Sequence, residues 1–571
     1  MASSGNFAVL SPLISSTTNT FSFGNCRITS SSGGWGAPLT LAANTGKFYV
    51  EVYFAVSDAN GGRISVLPTN SGKYNQGQQS ASTSGDYAVE WKYDGDGNFI
   101  ANNGSSSQSS VGSWAQGDVA AVAIDLDASP KTVQFYKNNS TIGSAENINT
   151  SAVGPFTVMI YAHNAGTWHI NAGQDSTFGG ALSAGGNADG NGFGDFKYSP
   201  PSGFNALCSA NLPVDSNIDP AGDDGDTQNP TKHFGVLTWD GDGGTLAITG
   251  LGFQPDLVWG FARSGGQSKR MVDSSRGGNS RMYSDANTAE DTSQTTVAFD
   301  SDGITAYGGY FNNDSGKTSG AWCWKANGGT TSTNTSGTIT SSVQANTIAG
   351  FSIITYSGNG TSGATVGHGL GAVPAMTMIK QRNATNAWNV WHQGNNSGDI
   401  DSFGELNGSA SWYQNQGSNG PYTSAPTSTA LTLTAYGQVN SGTGTYVGYI
   451  WSEIEGYSKF GLYKGNGDAD GPVIYTGFRP RLIFFKNISG TSGWTVVDTN
   501  VYPNNTANGP ERVEWNSSSA SVTGSSASRN MDILANGVKI RTTNGNVNTN
   551  GSTYVFGAWA DVPFKYNNTH A

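Results

Sequence analysis

Hydrolysis of a polysaccharide needs two carboxyl groups about 5–9.5 Å apart across the scissile bond. The chain offers two pairs at strand spacing, Asp125 with Asp127 and Glu453 with Glu455. Each pair points one way along an extended segment, and ordinary solvent-facing alternation produces the same pattern. No GxSxG elbow, HExxH or Cys/His arrangement accompanies them. The histidines, His163, His169, His233, His368, His392 and His570, stand singly at no metal-ligand spacing, so no zinc site is expected. The acidic loops DADG (468–471) and DDGD (223–226) carry hard oxygen donors of the kind Ca²⁺ takes, but not EF-hand spacing, and solvated turns account for both. The glycine turns GDGG (241–244), SGNG (357–360) and KGNG (464–467) are followed by neither GK[ST] nor a helical pattern. They read as strand connections in which Gly and Asn supply positive φ. We therefore expect no catalytic residue, no metal and no cofactor, with a polysaccharide depolymerase as the enzymatic alternative.

Aromatic rings set among small polar residues are the remaining chemistry. GSASWYQNQGSNGPY (408–422) places Trp412, Tyr413 and Tyr422 outside any strand pattern, and Trp35 lies in SSGGWGAP (31–38). Such rings could stack on sugars. The competing use is packing on their own domain or a neighbouring subunit, because aromatics anchor interfaces.

The elements that carry these residues follow from composition. At 571 residues the chain exceeds the roughly 150 residues of one ordinary domain, so three to five are expected. Charged residues make up 12% of the chain, about half the usual share. The 15 Trp, 23 Tyr and 25 Phe argue against disorder. The 80 glycines disfavour helices, whereas Thr, Tyr, Val, Phe and Trp suit a pleated sheet. An all-β, multidomain protein is expected.

A net charge of −12 without any basic run disfavours a nucleic-acid partner. No stretch approaches the roughly 18 apolar residues of a membrane span, so no membrane insertion is expected. Residues 1–16 lack the basic and apolar regions of a secretion signal. Cys26, Cys208 and Cys323 are far apart and odd in number, which suits assembly in a reducing cytoplasm.

In GKFYVEVYFAVSD (46–58) Phe48, Val50, Val52 and Phe54 fall on one face of a strand. Short strands continue through GDVAAVAIDLD (117–127), VQFYKNN (133–139), GPFTVMI (154–160) and NAG (171–173). This order resembles a SPRY-type, concanavalin-like β-sandwich over residues 40–175, with FYKNN holding Asn where that family's hairpin has Gly. Residues 1–39 read as an N-terminal segment used for attachment or as edge strands. Residues 176–232 read as a linker, its first half anchored on the sandwich by Phe193, Phe196, Tyr198, Phe204 and Leu207, and its acidic end Asp215–Pro230 extended.

Beyond the linker lies an internal repeat. WDGDGGTLAITGLGFQPDLVW starts at Trp239, YSGNGTSGATVGHGLGAVPAMTMI at Tyr356 and YKGNGDADGPVIYTGFRPRLIF at Tyr463. Pro255, Pro374 and Pro480 punctuate strand entry in the three copies, and each copy closes on a tryptophan, Trp324, Trp451 or Trp559. The spacing is that of a domain, and the expected units are 233–346, 347–455 and 456–571. The phrases VDSSRG, AWCWKANG, GFSIITYSGNG and EGYSKFGLYKGNGDADGP make this part similar to a domain family common in tail and other virion proteins of marine bacteriophages. That resemblance implies a structural component of the virion, assembled in the host cytoplasm. Its expected role is a tail fibre or appendage that holds other virion proteins and contacts a host cell-surface glycan or receptor. Capsid or tail decoration and a depolymerase tailspike are the alternatives. A homo-oligomer, with a trimer favoured, is expected because symmetric assembly multiplies weak contacts.

Overall fold

Strict alternation in Lys47–Val56 puts Phe48, Val50, Val52 and Phe54 into one core and Tyr49, Glu51 and Tyr53 onto the opposite face. The computed structural model describes residues 7–14, 19–31, 36–56, 62–71, 74, 88–94, 97–103, 105–152, 154–163, 165–212, 229–394, 399–499, 501, 512–521 and 530–560. Among them the elements are nearly all antiparallel strands, helices are single turns, and no helix is long and apolar enough to cross a membrane. The fold is an all-β, multidomain one.

The head is a two-sheet sandwich. One sheet runs, in spatial order, Asn19–Ser22, Arg27–Ser30, Thr167–Asn171, Lys47–Val56, Val119–Asp125, Thr132–Lys137 and Ser140–Asn147, with Asn205–Ala206 added in parallel to Lys47–Val56. The other runs Ala37–Pro38, Phe156–Tyr161, Arg63–Pro68, Val89–Asp94, Gly97–Asn102 and Ser105–Ser109. Large rings fill the space between them: Phe54 stacks on Trp114 at 5.1 Å and meets Trp168 edge-on at 4.7 Å. In the FYKNN hairpin Asn138 and Asn139 take φ of +45° and +67°, the left-handed region that Asn tolerates in place of Gly.

Residues 176–212 are anchored on the head through Phe193, Phe196, Tyr198, Phe204 and Leu207. Phe196 lies on Tyr49, Ala121 and Ala123, and Phe178, Leu182 and Tyr198 cover Tyr53 and Val119. The fixing point is Glu51, fully buried, whose carboxylate accepts from the backbone N–H of Lys197 and Tyr198 (2.9 and 2.8 Å) and from Asn171. Burial raises its pKa to about 7 against those donors. Without an acceptor beneath it the covering chain would bury unpaired N–H groups. Most of the acidic stretch Asp215–Pro230, including DDGD, lies outside the described residues.

Each repeat is itself a sandwich of a large and a small sheet. The first pairs Phe234–Asp240, Thr318–Trp324, Leu257–Ala262, Arg270–Asp273 and Arg281–Tyr283 over Thr245–Thr249, Gly303–Tyr307 and Val297–Asp300. The third matches it strand for strand, from Ser458–Lys464 to Thr553–Ala560. In the second, Ser332–Asn334 and Ser341–Asn346 extend the large sheet beside Phe351–Ser357. Residues 332–346 therefore belong to the second repeat, and the expected boundary at 346 moves back to about Ala326. The Gly-rich turns are tied down by one fully buried asparagine per repeat: the side-chain carbonyls of Asn313, Asn440 and Asn548 accept from the N–H of Asp242, Asn359 and Asn466. Gly243, Gly360 and Gly467 take φ of +79°, +68° and +69° there, which explains the glycines without any ligand.

The three large sheets turn their outer faces toward one another around a shared core. Trp324, Trp451 and Trp559, fully buried at equivalent positions, meet edge-on in a triangle with centroids 5.3–5.9 Å apart. Three seams close the ring in one rotational sense. Tyr449 of the second repeat donates its hydroxyl to Asp273 of the first (2.8 Å), and Trp322 of the first donates its indole N–H to Asp498 of the third (2.9 Å). At the matching position His392 of the second repeat donates Nε2–H to the carbonyl of Phe556 in the third (3.0 Å), while its Nδ1 accepts from Gly394 N–H. Likewise Trp388 donates to the carbonyl of Tyr283, and Trp494 to that of Glu405.

His392 stands where the other two repeats have Asp, and its burial lowers its pKa to about 4. Between that value and the ordinary value of about 6.5 the unfolded chain binds the extra proton, so stability rises with pH across this window. His392 is expected to contribute in full above about pH 6.5 and to withdraw roughly 3 kcal/mol as the pH falls toward 4. Urea unfolding of the wild type and of His392→Asn at both ends of the window checks this. The asparagine, which keeps a donor for Phe556 but does not titrate, should lose less on acidification, and equal losses would count against it.

The apolar seat of the head is on the third repeat. Ile14, Leu67, Met159 and Tyr161 pack with Val473, Tyr475 and Leu534. The Tyr475 hydroxyl takes the N–H of Ala42 (3.3 Å), Asn536 donates to the carbonyl of Thr40 (3.0 Å) and Lys539 to that of Leu13 (2.8 Å). Strand register places Thr249 and Gly367 where the third repeat has Tyr475.

Candidate binding surface

Packing decides which of the sequence-derived aromatics can meet a ligand. Trp412 is only 4% exposed, inside the shared core against Trp494, and Tyr422 is 1% exposed with its hydroxyl on Thr377. Neither can stack on a sugar, and the ligand role expected for both is corrected: Trp412 is buried in the core shared between repeats, and Tyr422 opens the strand Tyr422–Ser424 and is buried inside the second repeat's own sandwich. Tyr413 remains exposed, stacked on Phe403 at 5.0 Å. Trp35 lies outside the described residues. The repeat markers behave as architecture: Trp239, Tyr356 and Tyr463 are buried inside their own sandwiches, and Pro255, Pro374 and Pro480 precede or open Leu257–Ala262, Met376–Gln381 and Pro480–Asn487.

The carboxylates considered for acid–base work are engaged locally. Asp125 pairs with Lys47 (2.8 Å) and caps the N–H groups of Asp127 and Ala128. Glu453 pairs with Lys459 (2.6 Å) and accepts from Phe460 N–H. In DADG, Asp470 faces Lys539 (2.9 Å) and Arg541 (3.1 Å), so its charge is answered by cations. Among the described residues no group of three His, Cys, Asp or Glu side chains could hold a metal ion, and the three cysteines are free.

Two concavities among the described residues are large enough to consider. A crevice of about 240 Å³ lies where the head meets the second and third repeats, between Asn70 and Pro155 on one side and Gln393, Glu453 and Lys459 on the other. A groove of about 470 Å³ opens on the head itself, walled by Phe7, Phe23, His169, Gln174, Asp175 and Phe178. His169, which lines it, stands in a cross-strand row with Arg27 and Tyr53 on the outer face of the large sheet. The rim of the groove is the turn Phe23-Gly24-Asn25, all three in left-handed conformation (φ +53°, +62° and +65°). That turn holds the Phe23 ring 54% exposed, tilted over His169 at 5.8 Å and with the Arg27 guanidinium 5.7 Å from its centroid. Asp175 accepts from Thr177 and from Gly179 N–H at the far side.

The sequence reading passed over Phe23 and His169. Alternation does signal the histidine, because Trp168 and Ile170 face the core and His169 must face out. The turn residues Gly24 and Asn25 place Phe23 at a bend.

Residues 64–175 match the SPRY domain model, in agreement with the concanavalin-like sandwich. Solved structures similar to the chain include a TRIM65 PSpry domain (11% identity, TM-score 0.24, 29% of this chain and 92% of that one). The SPRY domain of human HERC1 gives 16%, 0.23, 28% and 96%, and stonustoxin gives 16%, 0.23, 29% and 27%. No curated protein matches the sequence. Residues 229–563, the whole three-repeat body and more than half of the chain, match the model described as Domain of unknown function (DUF7483), and the chain belongs to that family.

Proposed function

We propose that the chain is a non-enzymatic structural component of a bacteriophage particle, a tail fibre or appendage protein that mediates adhesion to a host-surface glycan or receptor. The observation that carries this reading is the closed ring of three repeats with a tryptophan triangle at its centre. Such a body devotes its sequence to interlocking sheets, and its third repeat provides the apolar seat of the head. The phrase-level resemblance of the repeats to marine phage virion proteins supports the setting. The three equivalent seams are already used within one chain, so a homo-oligomer, which we propose with three copies favoured, joins through other surfaces.

Electron microscopy of phage particles labelled with antibody to the chain tests the reading. Label at the distal end of an appendage is the expected result. Label across the capsid would favour decoration instead, and unlabelled particles would end the virion assignment. Light scattering of the purified chain at micromolar concentration reads the assembly, and a monomeric mass would remove the trimer.

A further inference from the structure

The geometry points to the groove beside Phe23 as a saccharide site of the head, in which one pyranose ring lies on the exposed Phe23 face and its hydroxyls bond to His169. This rests on the adhesion reading and gives it a place. His169 is 95% buried (5% exposed) and lines the groove, yet no group among the described residues hydrogen-bonds either ring nitrogen. The groove leaves these nitrogens of His169 open to solvent, and so within reach of a ligand's hydroxyls. Burial lowers its pKa to about 4, so at neutral pH the imidazole is uncharged and offers one donor and one acceptor, the pairing a hydroxyl can return at both atoms.

The neighbours define the ligand class further. Asp175 stands on one side and Arg27 beside the Phe23 ring on the other, so their charges offset and an anion is not favoured over a neutral ring. The volume lies within the roughly 300–1,000 Å³ of small-ligand sites. A phenylalanine held at positive φ is strained by about 1–3 kcal/mol, a cost tolerated where the ring's position matters. Packing restricts the approach from one side, since a side chain at Gly179 would reach to 3.0 Å from the Phe23 ring.

The test titrates the full chain with methyl glycosides and tetrasaccharides of glucose, galactose, mannose and N-acetylglucosamine, first on an array and then by calorimetry. We expect at least one to bind. Phe23→Ala and His169→Phe should each weaken it by about tenfold or more, while Phe23→Trp, which keeps the platform, retains it. Tyr413→Ala, an exposed ring elsewhere, should leave binding unchanged. Matching circular dichroism spectra of the variants separate loss of the site from loss of the fold. Binding indifferent to both groove substitutions, or no binding across the panel, would overturn the assignment. Host-cell binding distinguishes the two levels: cells held equally by wild type and groove variants would remove this site and leave adhesion standing, whereas no cell binding by the wild type would remove adhesion itself.

Discussion

Replacing Trp559 with alanine is expected to destabilise the whole three-repeat body by about 3–5 kcal/mol, the cost of emptying a large, fully packed ring site. Trp559 touches Phe234 and Trp324 of the first repeat, Trp451 of the second and Phe460 and Phe484 of its own. Its removal therefore opens a void bordered by all three copies. The measurement is urea unfolding followed by tryptophan fluorescence, with hydrogen exchange resolved by repeat. Because the core is shared, protection should fall in the first and second repeats as well as in the third. A loss confined to residues 456–560, with the other repeats unaffected, would show that the copies are stable separately and would remove the shared core as the main tie.

The second large effect concerns a buried charge. Arg276 lies with its side chain fully enclosed at the seam of the first and second repeats, paired with Asp273 (2.5 Å) and Glu290 (2.5 Å) and donating to the Tyr449 hydroxyl (3.0 Å). Glu290 is shared with Arg382 across the seam (2.8 Å). Desolvation opposes a cation there, but Asp273, Tyr449 and Glu290 outweigh it and raise the guanidinium pKa. Arg276→Ala strands Asp273 without a counter-charge, and breaking such a pair from one side costs about 3–5 kcal/mol. Adding Asp273→Asn should recover part of the loss, which a double-mutant cycle in urea measures. A single-variant cost below about 1 kcal/mol, the scale of exposed pairs, would mean that water screens this network.

The architecture of each sandwich is readable because period-two burial and Gly-Asn turns are local signals. The tryptophans at 324, 451 and 559 are visible as repeat markers, yet nothing local says that they meet one another, since a core residue and a seam residue carry the same apolar character. The same ambiguity misplaced Trp412 and Tyr422, whose polar loop neighbours suggest exposure while the adjoining repeat buries the first and the second repeat's own sandwich the other. The boundary near 346 failed for a related reason: Ser341–Asn346 pairs forward with Phe351–Ser357, and no change of composition marks where one sheet ends. The groove on the head depends on an aromatic at the tip of one hairpin reaching a histidine 146 residues away, a proximity only tertiary structure creates.

Joining three copies in one polypeptide also frees them from identity. A true trimer of single repeats would present three equivalent seats and so recruit three heads or none. Here one copy alone carries Tyr475, with Thr249 and Gly367 at the corresponding places. The covalent arrangement thus sets a one-to-one stoichiometry of head to pedestal, and leaves the matching positions of the other two copies free to diverge for other neighbours.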